Sequence, residues 1–208
     1  MGNFKATGLT ALILLIITMI VVMGIASIIT GETSTSTTTE LDYDQIVDDV
    51  LNEITTYIQI KDEKGKFSKI EGEHRITKIA LLISPMVSQD IDMTQLTIQI
   101  DNGEMVNIMY YEESDEIGME SLFEHNLWNN LNGSKYSLIS INDFDDSISE
   151  FNLINQNSDL VYLVFKLPSN LYMEKYDTLK VTLFPSTGIT RTTFLKAPMP
   201  MKQVITFE

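Results

Sequence analysis

Residues 6–31 read ATGLTALILLIITMIVVMGIASIITG, an uncharged and strongly apolar run with no counterpart elsewhere in the chain. At ~1.5 Å rise per residue the run spans roughly 39 Å as a helix, more than the ~30 Å hydrocarbon core of a bilayer. A helix that is apolar on every side has no face to offer water, so a soluble domain rarely has use for one. The N-terminus therefore rests in a membrane, or in an assembly that replaces one. On hydropathy alone it is first of all a membrane anchor for an external domain.

The flanks orient the run. Lys5 stands before it; Glu32, Glu40, Asp42, Asp44, Asp48, Asp49 and Glu53 follow, with no Lys or Arg until Lys61. That asymmetry puts Lys5 on the cytoplasmic side and the rest of the chain outside. The run exceeds the ~7–15 apolar residues of a cleavable secretory signal, so it is expected to stay in the mature protein.

Working outward, residues 33–39 (TSTSTTT) are hydroxyl-rich and largely β-branched, poor helix formers that read as a linker and a candidate for O-glycosylation. From Leu41 to Ile60 the period is helical: Ile46, Val50, Ile54 and Ile58 recur at i+4, with acidic residues near the start, where the helix dipole favours them. Residues 1–60 are thus expected to be an N-terminal helical region, in three parts at 6–31, 33–39 and 41–60. Residues 61–208 are expected to form an outer β domain.

After Lys61 the period becomes two. Leu96, Ile98 and Ile100 alternate with Thr97 and Gln99, and Asp101-Asn102-Gly103 turns the chain into 105–111. Val161, Leu163, Phe165 and Leu167 alternate up to the stop at Pro168-Ser169-Asn170. Leu179, Val181 and Leu183 do the same, and Pro185-Ser186-Thr187-Gly188 turns into 189–195. Residues 79–83 and 204–207 complete the expected strands, while Met119, Leu122, Phe123 and Leu127 suggest one short helix or helical loop. Some seven short strands separated by turns predict an α+β chain, a long hydrophobic helix followed by an immunoglobulin-like antiparallel β-sandwich.

Composition narrows the function. The net charge is −15, carried by the chain beyond Gly31. Such a surface suits neither the phosphates of nucleic acid nor anionic headgroups. There is no cysteine, hence no disulfide, thiolate ligand or cysteine nucleophile. His74 and His125 make no spaced ligand pair, and no Gly-rich phosphate loop, nucleophile elbow or His-Glu-x-x-His motif occurs. The chain is read as no enzyme, with no cofactor and no small-molecule substrate.

The start Ala6-Thr7-Gly8-Leu9, followed at once by the apolar run, resembles the beginning of mature archaellins, the archaeal flagellins that build the archaellum filament. Segments 69–85 (KIEGEHRITKIALLISP), 91–100 (IDMTQLTIQI), 160–167 (LVYLVFKL), 178–188 (TLKVTLFPSTG) and 197–207 are similar to strands of methanogen-type archaellins. The likeness runs over nearly the whole chain. Two features depart from the family pattern. Lys5 rather than Gly precedes Ala6, so Lys5–Ala6 is either a processing junction after a short leader or lies within the mature chain. The Ser/Thr run also falls where the family's helix usually continues.

The resemblance implies a subunit held in the membrane transiently, then moved into a helical filament outside the cell together with copies of itself or paralogous archaellins. Ala6, Gly8, Leu12, Leu15, Ile16, Met19, Val22, Ile25 and Ile28 would form the polymerisation helix. Each buried Leu or Ile is worth ~1.5–3 kcal/mol against exposure, so that helix leaves lipid only for somewhere equally dry. A bundle of the same helix from neighbouring copies is such a place, and small residues such as Gly8, Ala11 and Gly24 allow close approach. The alternatives are a membrane-anchored accessory protein of the archaellum with an external β-sandwich, and an adhesive type IV-like pilin.

Three further features are weighed. Asn132-Gly133-Ser134 is an acceptor for N-glycosylation or a plain turn. Asn142, Asp143, Asp145, Asp146 and Glu150 crowd oxygen ligands but lack EF-hand spacing, and read as a solvated acidic loop. Trp128 and Tyr110, Tyr111, Tyr162, Tyr172 and Tyr176 read as strand packing or subunit contacts rather than a carbohydrate platform.

Overall fold

Two strands buried on both faces organise the domain: β2 (Glu73–Pro85) and β8 (Leu160–Lys166). They pair antiparallel, and β8 pairs in turn with β6 (Lys135–Asn142). Directly opposite residues share a face, so Ile79, Phe165 and Tyr136 form one inward rung and Leu81, Leu163 and Leu138 the next. The computed structural model describes residues 50, 56–113, 121–199 and 203–207. The 6–31 run, the 33–39 linker and residues 41–49 and 51–55 of the 41–60 stretch lie outside the described residues.

The remaining strands extend this centre. β1 (Ile58–Ile70) turns into β2 through Glu71 and Gly72, both at positive φ, the type I′ geometry that matches strand twist. β3 (Ile91–Asp92) and β7 (Leu153–Ile154) form a separate two-stranded ladder. β4 (Thr97–Asp101) and β5 (Val106–Tyr111) are joined at Asp101-Asn102-Gly103, where the Asn102 side chain accepts from the amides of Glu104 and Met105. β9 (Thr178–Phe184), β10 (Arg191–Lys196) and β11 (Val204–Thr206) complete a nine-stranded sheet in the order β10-β9-β4-β5-β6-β8-β2-β1-β11.

Every pair in this sheet is antiparallel except β5 with β6, a parallel contact at Tyr110–Lys135 and Tyr111–Tyr136. That short junction divides the sheet into a four-stranded half and a five-stranded half. The sheet curls until the halves face one another across one core, with Ile98, Ile100, Val181 and Leu183 from one half and Ile79, Leu81, Leu163 and Phe165 from the other. Tyr136 ties the core together: its buried hydroxyl lies 2.6 Å from the carbonyls of both Met93 and Leu96 and donates between them.

The open edges are clasped. Tyr57 bridges Ile189 in parallel, the Ile189 amide donates to the Thr56 carbonyl at 2.9 Å, and Arg191 donates to the Tyr57 hydroxyl. Gly188 makes the approach possible. Its φ is +108°, and a Cβ there would lie 2.3 Å from the Thr56 oxygen.

Two expectations change. β1 begins at Ile58, so the amphipathic reading of 41–60 does not hold over its last three residues, and the boundary at 60/61 falls inside a strand. Ile58 fits both periods, and its full burial in the core selects the strand. The purely antiparallel pairing gives way at β5–β6, because the chain re-enters the sheet only after a long crossover. The short helix or helical loop expected near Leu122–Leu127 is a 3₁₀ turn at Asn126–Asn129, and Met119 lies outside the described residues.

Candidate functional site

The crossover supplies the outward face of the five-stranded half. Phe123, Leu127, Trp128 and Leu131 pack over Ala80, Val164, Tyr162 and Ile139, a second apolar cluster on the far side of the sheet from the main core. Trp128 donates from its indole N–H to the Leu122 carbonyl at 2.7 Å and stacks on Phe123 at 5.7 Å. Of the aromatics singled out from sequence, Trp128 and Tyr162 are buried, Tyr111 and Tyr172 pack against the main core, and Tyr110 and Tyr176 are exposed.

Beside that cluster is an unusual charge arrangement. Lys66, Lys78 and Lys166 lie on one rung across β1, β2 and β8, all half-buried and all on the outward face. Lys78 Nζ sits 4.7 Å over the Trp128 ring and donates to the Phe123 carbonyl. Burial, then the charges of Lys66 and Lys166, pushes its ammonium down to about 8.

At the other end of β8 lies the acidic loop. Asp143 accepts the amides of Ile148 and Ser149 and so starts the short helix Ser147–Phe151. Asp145 accepts from the side chains of Asn155 and Gln156, and hydrogen bonds, from Asn155 first, hold its carboxyl at about 2. Asp159 is fully buried and accepts the amides of Asn155 and Gln156 through one oxygen only. Asp143, Asp145 and Asp159 each bring a carboxylate oxygen within 4.8 Å of the others. The second oxygens of Asp143 and Asp159 are buried with no hydrogen-bond partner.

Three converging carboxylates, two of them with an orphaned oxygen, match the hard-oxygen chemistry of a divalent cation such as calcium, whose charge would offset their repulsion. The sequence reading missed Asp159, because it sits beyond the acidic run and only the fold returns it; no sequence signal marked it. For a fragment lacking Met1–Thr39, calcium at a hundredfold over its Kd is expected to stabilise by about 2.7 kcal/mol. Differential scanning calorimetry should show a rise of several degrees with calcium in wild type and none in Asp159→Asn. An equal rise in both would remove the site.

Asn132 is exposed in a turn, its side-chain oxygen accepting the Ser134 amide at 2.9 Å. Ala6, Gly8, Leu12, Leu15, Ile16, Met19, Val22, Ile25, Ile28 and the Lys5–Ala6 junction lie outside the described residues. His74 is exposed and His125 buried, on separate elements. Among the described residues no helix is long and apolar enough to cross a membrane.

The archaeal-type flagellin family profile matches residues 6–194. No curated protein matches the chain by sequence. Among solved structures, the archaeal flagellin FlaB1 of Methanocaldococcus jannaschii aligns with TM-score 0.62 at 19% identity, over 72% of this chain and 95% of that one. The archaeal flagellum of Methanospirillum hungatei strain JF1 aligns with TM-score 0.54 at 12% identity, over 97% and 99%. At these identities the likeness is one of fold.

Proposed function

Because this chain belongs to the archaeal-type flagellin family, we propose that residues 6–31 form the helix through which its copies polymerise. The chain is a structural subunit of the archaeal flagellum, an extracellular motility filament built from copies of its own kind, and it is not an enzyme. The match carries this reading because it starts at Ala6, the first residue of the apolar run, and continues into the β domain as far as residue 194.

The finer features follow on the same footing. The helix rests in the membrane before assembly and moves from lipid into a bundle of the same helix from neighbouring copies. Outside that bundle, the four- and five-stranded halves closing on one core act as an immunoglobulin-like sandwich that keeps the polymer in water. Contacts between identical copies in such a polymer are heterologous and do not close. The exposed Asn132 turn carries an N-glycan.

Shearing cells tests the assembly. The subunit should leave in high-molecular-weight polymer; retention in the membrane fraction at low copy number would identify an anchored accessory protein instead. Mass spectrometry of sheared subunits tests the glycan. A mass excess over the polypeptide should localise to the peptide containing Asn132 and vanish in Asn132→Gln, whereas an unmodified peptide would leave only a turn.

A further inference from the structure

Polymer contacts of the heterologous kind need two different surfaces on each copy, and the two ends of β8 carry surfaces of opposite charge. At one end stands the rung of Lys66, Lys78 and Lys166. Like charges directly opposite on neighbouring strands repel, and half-burial adds a desolvation cost to each. Among the described residues none of the three has an ion pair, in contrast with Lys64 on Asp62, Arg75 on Glu73 and Glu174, and Lys135 on Glu112. A cationic rung with no counter-charge among the described residues is out of keeping with a chain of net charge −15.

At the other end β8 begins at Leu160, paired with Asn142, where the acidic loop starts. Asp146 and Glu150 are exposed there and lie outside the carboxylate cluster of Asp143, Asp145 and Asp159. Phe144 and Phe151 flank them, 76% and 62% exposed. Six residue steps separate Leu160 from Lys166, on the order of 20 Å of strand. One molecule therefore carries an acidic, aromatic knob and a basic rung at opposite ends of the same strand.

We propose that this knob of one copy, Asp146 and Glu150 with Phe144 and Phe151, seats on the Lys66–Lys78–Lys166 rung of the next copy, linking outer domains head to tail in the filament. This rests on the filament reading above. Charge complementarity selects a second copy as the occupant: the carboxylates supply the missing counter-ions, and the phenyl rings meet ammonium groups and alkyl stems that suit them. Head-to-tail contacts repeat without closing, as a filament requires.

The absence of cysteine makes the test specific. Filaments are sheared from cells producing the full chain with Glu150→Cys and Lys166→Cys together, oxidised, and run on a denaturing gel. The two positions are too far apart to bridge within one copy, since a disulfide needs Cα atoms within ~7 Å. A ladder of dimers and higher multimers is expected from the pair and not from either single variant. Intact filaments that give no ladder overturn the contact while leaving the filament reading standing; failure of that reading would show instead as wild-type subunit missing from the sheared polymer. Charge exchange gives a second readout. Glu150→Lys or Lys166→Glu alone should lower the polymerised fraction about tenfold, the factor for ~1.4 kcal/mol per contact. The two together should restore it, and a combined loss as large as the product of the two would overturn the pairing.

Discussion

Cells whose subunit carries Val22→Lys are expected to release no filaments on shearing, and Leu15→Glu is expected to do the same. The run from Ala6 to Gly31 has no charge and no residue able to pair with one. A lone ammonium at the centre of a membrane helix costs ~2.5–3.5 kcal/mol on insertion scales, which more than twenty remaining apolar and small residues can absorb. The variant subunit should therefore still reach the membrane. In a bundle the same charge recurs in every copy, surrounded by helices that offer neither water nor counter-ion, and each copy pays the desolvation cost of an unpaired buried ion. Accumulation in the membrane fraction with no sheared polymer is the outcome to look for. Val22→Ile should assemble normally. Filaments of ordinary abundance from Val22→Lys would exclude a dry bundle.

The largest effect on the outer domain should come from Phe165→Ala. Phe165 is fully buried, between Ile79 of β2 and Tyr136 of β6 on the central inward rung. Emptying such a site typically costs ~3–5 kcal/mol, against a total of ~5–15 kcal/mol for a domain. Urea unfolding of a fragment lacking Met1–Thr39 should show that loss as a lowered midpoint at unchanged slope. Phe194→Ala provides the comparison. Phe194 is 60% exposed on β10, and its removal should change stability by no more than ~0.5 kcal/mol. Similar losses at both positions would mean that β8 is not the centre of the core.

How much of this could be read from residues alone depends on how each strand is buried. The β4–β5 hairpin was legible because Ile98 and Ile100 face the core while Thr97 and Gln99 do not, and Asp101-Asn102-Gly103 has the chemistry of its turn. β9 was visible for the same reason, and β8 kept a readable alternation of Val161, Leu163 and Phe165 although both its faces are covered. β6 was not foreseen. Tyr136 and Leu138 enter the main core while Ser137 and Ile139 lie under the crossover, so burial on both faces erases the period-two signal. β1 was obscured by the opposite cause: Asp62, Glu63, Lys64 and Lys66 make it read as polar, and its place is fixed by pairing with β2.

The functional surfaces divide along the same line. The apolar run announces itself, because nothing but dry surroundings can hold it. The acidic run was equally plain, but its convergence with Asp159 depends on β7 and β8 doubling back, a tertiary fact that spacing does not encode. The lysine rung is likewise invisible in a linear reading, since Lys66, Lys78 and Lys166 meet only through strand register.

The bundle itself is best tested by image reconstruction of sheared filaments at a resolution that traces side chains. Residues 6–31 of neighbouring copies should pack against one another along the filament axis, with no lipid between them and the β domains facing water. A run still embedded in bilayer, or splayed into solvent apart from its neighbours, would contradict polymerisation through that helix.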